Sequence, residues 1–118
     1  DRPVLTRPPD TAHNGGMSRL LSDDEVTTQL SGLPGWSRTG DAIVATFEAP
    51  DSPAAIRLVE AAADEAEQMN HHPDIDIRWR TTRWLLTTHD AGGLTQLDIE
   101  LAHRISAAAA TLGASAGA

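Results

Sequence analysis

Between Ser22 and Gly113 the spacing of apolar positions switches repeatedly between a helical and a strand period. Ser22-Asp23-Asp24-Glu25 has the form of a capping box, with the serine oxygen serving an orphan N–H and Glu25 reaching back, ahead of a short helix carrying Val26 and Leu30. The stretch from Gly32 to Gly35, with Pro34 between, ends it. Trp36 then leads into two parities, Ala42, Val44 and Thr46 against Ile43, Ala45 and Phe47, around a turn at Thr39-Gly40-Asp41, which predicts a hairpin. Ser52 before Pro53 reads as an N-cap and first turn. Ile56, Val59, Ala63, Ala66 and Met69 follow at three- and four-residue intervals and predict a helix over 53–69 that buries this stripe and turns Arg57, Glu60, Asp64 and Glu67 outward.

After His71-His72-Pro73, Ile75, Ile77 and Trp79 alternate with Asp74, Asp76 and Arg78, and the run from Thr82 to Thr88 is β-rich with Trp84 and Leu86 in phase. This is a second strand pair. Thr95 caps a last helix whose stripe is Leu97, Leu101, Ile105 and Ala108 or Ala109. The order is α-β-β-α-β-β-α, with hairpin-paired and therefore antiparallel strands and helices that need a common apolar face, so the fold class is an α+β two-layer domain. Residues 18–113 form that ordered domain. A flexible N-terminal arm is expected at 1–17, rich in Pro, Gly, Asp and Asn, and a flexible tail of small residues at 114–118, after Gly113 as a C-cap.

A chain of 118 residues suits one compact domain. It holds no cysteine, which removes disulfides, thiolate metal sites and a cysteine nucleophile. Seventeen acidic residues against nine basic ones give a formal net charge of -8, so a nucleic-acid backbone is repelled and direct nucleic-acid binding is disfavoured. All nine basic residues are arginines, and Arg78, Arg80 and Arg83 form the one local cluster, read as a solvated strand face or a small anion contact. No apolar run reaches the length of a bilayer crossing, and the first residues lack the apolar segment of a secretory signal, so no membrane association and a cytoplasmic location are expected.

The titratable chemistry concentrates at two breaks in the pattern. His71 and His72 sit just past the long helix, where Pro73 forces the preceding residue out of the helical region. The negative end of the helix dipole and the Glu67 carboxylate one turn before His71 both favour an imidazolium, a general acid near neutral pH. His89 ends the fourth strand ahead of a glycine-containing turn, a common position for catalytic groups. Plainer accounts stand beside these. A histidine at a helix end often only caps the last carbonyls, which applies to His72, and Asp98 at N3 after Thr95 can simply complete a capping box. His13 and His103 carry no assigned role. The tryptophans can be core. A zinc or iron site drawn from Glu67, His71, His72, His89 and Asp98 competes with acid/base use, but adjacent histidine side chains diverge and no His-x-His or His-x3-His spacing is present. Acid/base use is the preferred reading. Neither a Gly-x-Ser-x-Gly elbow nor a glycine-rich phosphate loop occurs.

Glu67, three residues, His71-His72-Pro73, five residues, Trp79, nine residues, His89, eight residues and Asp98 together resemble the signature of the pterin-4a-carbinolamine dehydratases. The resemblance extends over about residues 20–112 and includes Gly35-Trp36. It implies a four-stranded antiparallel sheet covered by helices on one face, and a hydro-lyase that converts 4a-hydroxytetrahydrobiopterin or a related 4a-hydroxytetrahydropterin to quinonoid dihydropterin and water in tetrahydropterin recycling. Carried over by position, His71 and His89 are acids near the 4a-hydroxyl, one for each stereochemical face. His72 binds the pterin and serves as base. Glu67 orients or charges His71, Asp98 positions His89, and Trp79 or Trp36 supports the pocket wall. The resemblance implies no metal, no redox cofactor, and a homodimer or homotetramer. Some family members carry a cysteine soon after the third histidine; here Ala91-Gly92-Gly93 follows, and no thiol role carries over. The alternative within the family is a non-catalytic protein-binding factor, either a transcription-factor dimerisation cofactor or a Rubisco-assembly factor. Retention of three histidines and two acids at this spacing favours the enzyme.

Overall fold

Strand parity decides which face of the sheet is covered. In the computed structural model, which describes residues 18–117, strand β1 is Ser37–Thr39, β2 Ala42–Glu48, β3 Asp74–Arg78 and β4 Thr81–Leu86, and helix α1 is Asp23–Leu30, α2 Ser52–Met69 and α3 Gln96–Thr111. The expected N-terminal arm at 1–17 lies outside the described residues. Ile43, Ala45 and Phe47 of β2 and Thr82, Trp84 and Leu86 of β4 are all buried, and all but Thr82 share one core cluster with Leu58, Ala62 and Ala66 of α2 and Leu101, Ala102 and Ile105 of α3. The opposite parity is half-buried to exposed, apart from a buried Ala42, and Glu48 and Arg83 stand in solvent. A helix layer on one sheet face is the arrangement expected from the pattern.

The sheet runs β1-β2-β4-β3, antiparallel throughout, with Ala45 opposite Trp84 at its centre. Trp84 buries its whole ring because Thr82 answers the indole N–H at 2.8 Å, and the threonine hydroxyl in turn donates to the Phe47 carbonyl at 3.3 Å. Both capping boxes form as expected. At α1, Ser22 Oγ accepts the Glu25 N–H and Glu25 accepts the Ser22 N–H, while Arg19 clasps the same carboxylate. The Arg19 guanidinium, followed by the Ser22 N–H, holds the Glu25 carboxyl down at about 2. The 18–21 segment is further pinned by a Leu21 N–H donated to the Leu94 carbonyl at 2.8 Å.

Four details differ from the expectation. Helix α2 is capped by Asp51, whose side chain accepts the Ala54 N–H at 2.8 Å, so Ser52 and Pro53 lie inside the first turn. Its buried stripe is Ala54, Ala55, Leu58, Ala62 and Ala66, whereas Ile56 is 48% exposed and Ala63 faces solvent. Four of these five inward residues are alanines, and Ile56, larger but one position out of phase, misled the periodicity. The tail expected to fray at 114–118 instead contributes a fifth strand, β5, Ser115–Ala116, which pairs with β2 at Phe47 and Glu48 beyond the end of β1. Gly35, at φ 88°, makes room for it, since a Cβ there would stand 2.7 Å from that of Ala116. Strand β3 is an edge and lies exposed along its whole length, so Ile75 and Ile77 keep 37% and 38% of their surface. Among the described residues no helix is long and apolar enough to cross a membrane.

The phase of α2 is testable by truncation. Leu58→Ala should cost about 2–5 kcal/mol in urea unfolding, as large-to-small core changes do, and Ile56→Ala no more than about 0.5 kcal/mol. The reverse order would place the wrong face of α2 in the core.

Candidate active site

The two adjacent histidines owe their positions to Asn70. This residue adopts the left-handed conformation, φ 50° and ψ 43°, and ends α2 with a pair of bonds, Asn70 N–H to the Glu67 carbonyl at 3.2 Å and His71 N–H to the Ala66 carbonyl at 3.1 Å. Asparagine takes this conformation at a helix end more readily than most side chains. Pro73 was the expected cause of the break; the chain has already turned three positions earlier, and the proline keeps His72 from resuming the helix. The turn sends the two imidazoles into different surroundings. The side chain of His71 is 10% exposed and that of His72 is 55% exposed.

His71 Nε2 lies 2.6 Å from Oδ1 of Asp98, a carboxylate with no exposed surface. Asp98 is the N3 residue of α3, and its Oδ2 accepts the Thr95 N–H at 3.0 Å and the Thr88 hydroxyl at 2.8 Å. A buried carboxylate is stable only when its oxygens are met by donors, and here Oδ2 is met by Thr88 and Thr95, with the positive end of α3 behind them. Oδ1 is left to the imidazole.

His72 Nε2 lies 2.5 Å from Oε2 of Glu67, an exposed contact of two groups that water can also serve. The pairing therefore differs from the expected one, in which Glu67 served His71 and Asp98 served His89. Glu67 stands on the solvent side of α2, where the reversal at Asn70 brings back the second histidine. Asp98, held inward by its capping box, meets the first.

A cleft of about 350 Å³ opens beside the buried pair, lined by His71, Asn70, Met69, Thr88, Asp90 and Leu97 among others. His89 begins a short 3-10 turn, His89–Ala91, and lines a neighbouring depression of about 260 Å³ with Asp41, Thr87 and Gly92. The 87–93 segment thus forms a wall of both. Trp36 is buried in the core, its indole N–H donated to Ser106 at 2.8 Å and its ring edge-on to Phe47. Trp79 sits at the tip of the β3–β4 hairpin, φ 56° and 88% exposed. Neither ring lines the cleft. Among the described residues no three His, Asp or Glu side chains gather in a metal-binding group. Thr88, Thr95 and Asn70 were not singled out from the sequence as parts of the site. Asn70 carried a weak signal, an αL-tolerant residue just after the last apolar position of a helix; nothing local marks Thr88.

What this arrangement can do is hold an imidazole by one nitrogen and leave the other for proton transfer. The two carboxylates should behave differently. Asp98→Asn, which puts an amide against the Thr95 N–H or against His71, should cost about 1–3 kcal/mol in denaturant unfolding. Glu67→Gln should stay within about 0.5 kcal/mol of the unaltered protein.

The family described as Pterin 4 alpha carbinolamine dehydratase matches residues 19–108. A protein of Nocardia farcinica named "Putative pterin-4-alpha-carbinolamine dehydratase" is 54% identical over 88 residues, covering 75% of this chain and 93% of that protein. A relative of the same name from a Roseiflexus species is 53% identical over 89 residues, covering 75% and 96%. The crystal structure of a transcriptional coactivator/pterin dehydratase from Brucella melitensis superposes with a TM-score of 0.74 at 32% identity, covering 75% of this chain and 97% of that one. The chain belongs to the pterin 4 alpha carbinolamine dehydratase family.

Proposed function

We propose that this member of the family is a hydro-lyase that removes water from a 4a-hydroxytetrahydropterin, working in the cytoplasm as a homo-oligomer. The observation that carries the reading is the imidazole of His71, held by a buried carboxylate at the wall of a cleft whose volume lies at the lower end for small-molecule sites. The reaction breaks the C4a–O bond, the hydroxyl leaving as water with a proton from an acid, while the N5 proton passes to a base and a C4a–N5 double bond forms. Electrons and atoms balance without an oxidant, and no step is assigned to a metal. His71 is the acid from within the cleft. His89, which the family resemblance makes the acid for the opposite face of the ring, borders the neighbouring depression on the same 87–93 segment. His72, with Glu67 to take up charge, is the base and ring-binding group.

A second reading, a protein-binding factor of the same fold, draws on the coactivator half of the Brucella protein's name and on the exposed Ile75, Ile77 and Trp79 along the edge hairpin. The same apolar edge supports self-association. The enzyme is preferred because the histidine held by the buried carboxylate also lines a cleft, which joining segments of the fold does not require.

Chemically generated 4a-hydroxytetrahydropterin should lose water faster with the protein than in buffer, with or without a chelator. His71→Ala should slow that step about 10²–10⁴-fold, the usual worth of a positioned acid or base, in a protein that remains folded by circular dichroism. No acceleration by the intact protein would refute the enzyme, and activity lost to the chelator would return a metal to the mechanism.

A further inference from the structure

Thr88 is the one member of the buried cluster whose hydrogen bonds fix the direction of all the others. Its hydroxyl is buried and carries a single hydrogen, yet it has two partners, Asp98 Oδ2 at 2.8 Å and Thr95 Oγ1 at 2.8 Å. A carboxylate accepts and does not donate, so the Thr88 hydrogen goes to Oδ2. The Thr88 oxygen must then accept from the Thr95 hydroxyl, whose own oxygen accepts the Leu97 N–H at 3.3 Å. Oδ2 also takes the Thr95 N–H and is filled by two donors. Oδ1 remains, and among the described residues it faces His71 Nε2 alone.

We propose that Thr88 is a positioning residue that keeps Asp98 an acceptor, so that His71 donates its Nε2 hydrogen to Oδ1 and works on the cleft through Nδ1. The neutral ring then offers Nδ1 as a base, and the imidazolium offers an Nδ1–H as an acid. Without the Thr88 hydroxyl Oδ2 keeps only the Thr95 N–H, and the buried carboxylate loses a donor that holds it in its acceptor form. A proton on Oδ1 turns the short contact around, Nε2 becomes the acceptor, and the ring hydrogen moves to Nδ1. The neutral ring then presents the wrong nitrogen for a base, and the cationic form is displaced. The kinetic part of this assignment rests on the proposed dehydratase reading; the tautomer does not.

Nitrogen-15 spectra of the labelled protein without ligand read the tautomer directly. Neutral His71 should carry its hydrogen on Nε2 in the unaltered protein and in Thr88→Ser, while Thr88→Val should populate the Nδ1–H form. In the dehydration assay Thr88→Val should lower kcat about tenfold with KM within about twofold, and Thr88→Ser should restore most of it, the size expected for losing one hydrogen bond to a charged group. A His71 found as the Nδ1–H tautomer in the unaltered protein would overturn the proposal even if Thr88→Val does not fold. So would a folded Thr88→Val with unchanged tautomer and kcat. An unaltered protein inactive on the pterin would refute the dehydratase reading instead, and the tautomer would still decide the role of Thr88.

Discussion

Asp98 is a carboxylate with no exposed surface, set where α3 begins, and its neighbours are arranged to supply it with donors. Two come from the 88–95 segment, the Thr88 hydroxyl and the Thr95 N–H, and the third contact is the His71 imidazole from the far end of α2. One side chain thereby ties the start of α3, the end of β4 and the end of α2 at a single point. A buried charge that loses a partner is costly, so the same contacts that satisfy Asp98 hold these three segments in register. The fold and the chemistry meet in that carboxylate.

The rest of the domain brings the three segments to it. Burial of Ile43, Phe47, Trp84 and Leu86 against α2 and α3 sets the helices across the sheet. The left-handed Asn70 then turns the chain off α2 at the height where His71 reaches Asp98. The 18–21 segment, clamped by the Arg19–Glu25 pair and the Leu21–Leu94 bond, places Ser18 on the cleft. By contrast the Glu67–His72 pair is exposed and joins the end of α2 only to the residues that directly follow it.

Much of this was legible in the sequence because it is local. The capping boxes at Ser22 and Thr95, the two hairpins and the parity of β2 and β4 are written within a few residues of one another. Spacing singled out five titratable residues, and the structure sets four of them in two pairs, His71 with Asp98 and His72 with Glu67, with His89 beside a neighbouring depression. Which acid serves which histidine was not legible, because that is decided by the direction in which the chain leaves α2, and Asn70 sends the second histidine, not the first, back toward Glu67. The inner stripe of α2 was found only in part, with Ala66 buried and Val59 and Met69 against the core, because alanine sits on both of its faces and Ile56 outweighs Ala55 in any reading by size. Strand β5 is serine and alanine, with no β-branched residue to announce it, and exists because β2 has unpaired backbone beyond the end of β1. Thr88 gains its meaning only from residues seven and ten positions away that fold back onto it.

Whether Asp98 acts on the proposed dehydration through His71 is read from a kinetic double-mutant cycle on that step. Asp98→Asn, His71→Gln and the double variant are compared with the unaltered protein at a temperature where all four stay folded. If the carboxylate works through the imidazole, its replacement in the His71→Gln background should change kcat by less than about twofold, because residues that act as a unit are not additive. Losses that multiply would mean that Asp98 and His71 act independently, and the coupling of carboxylate to imidazole would be refuted.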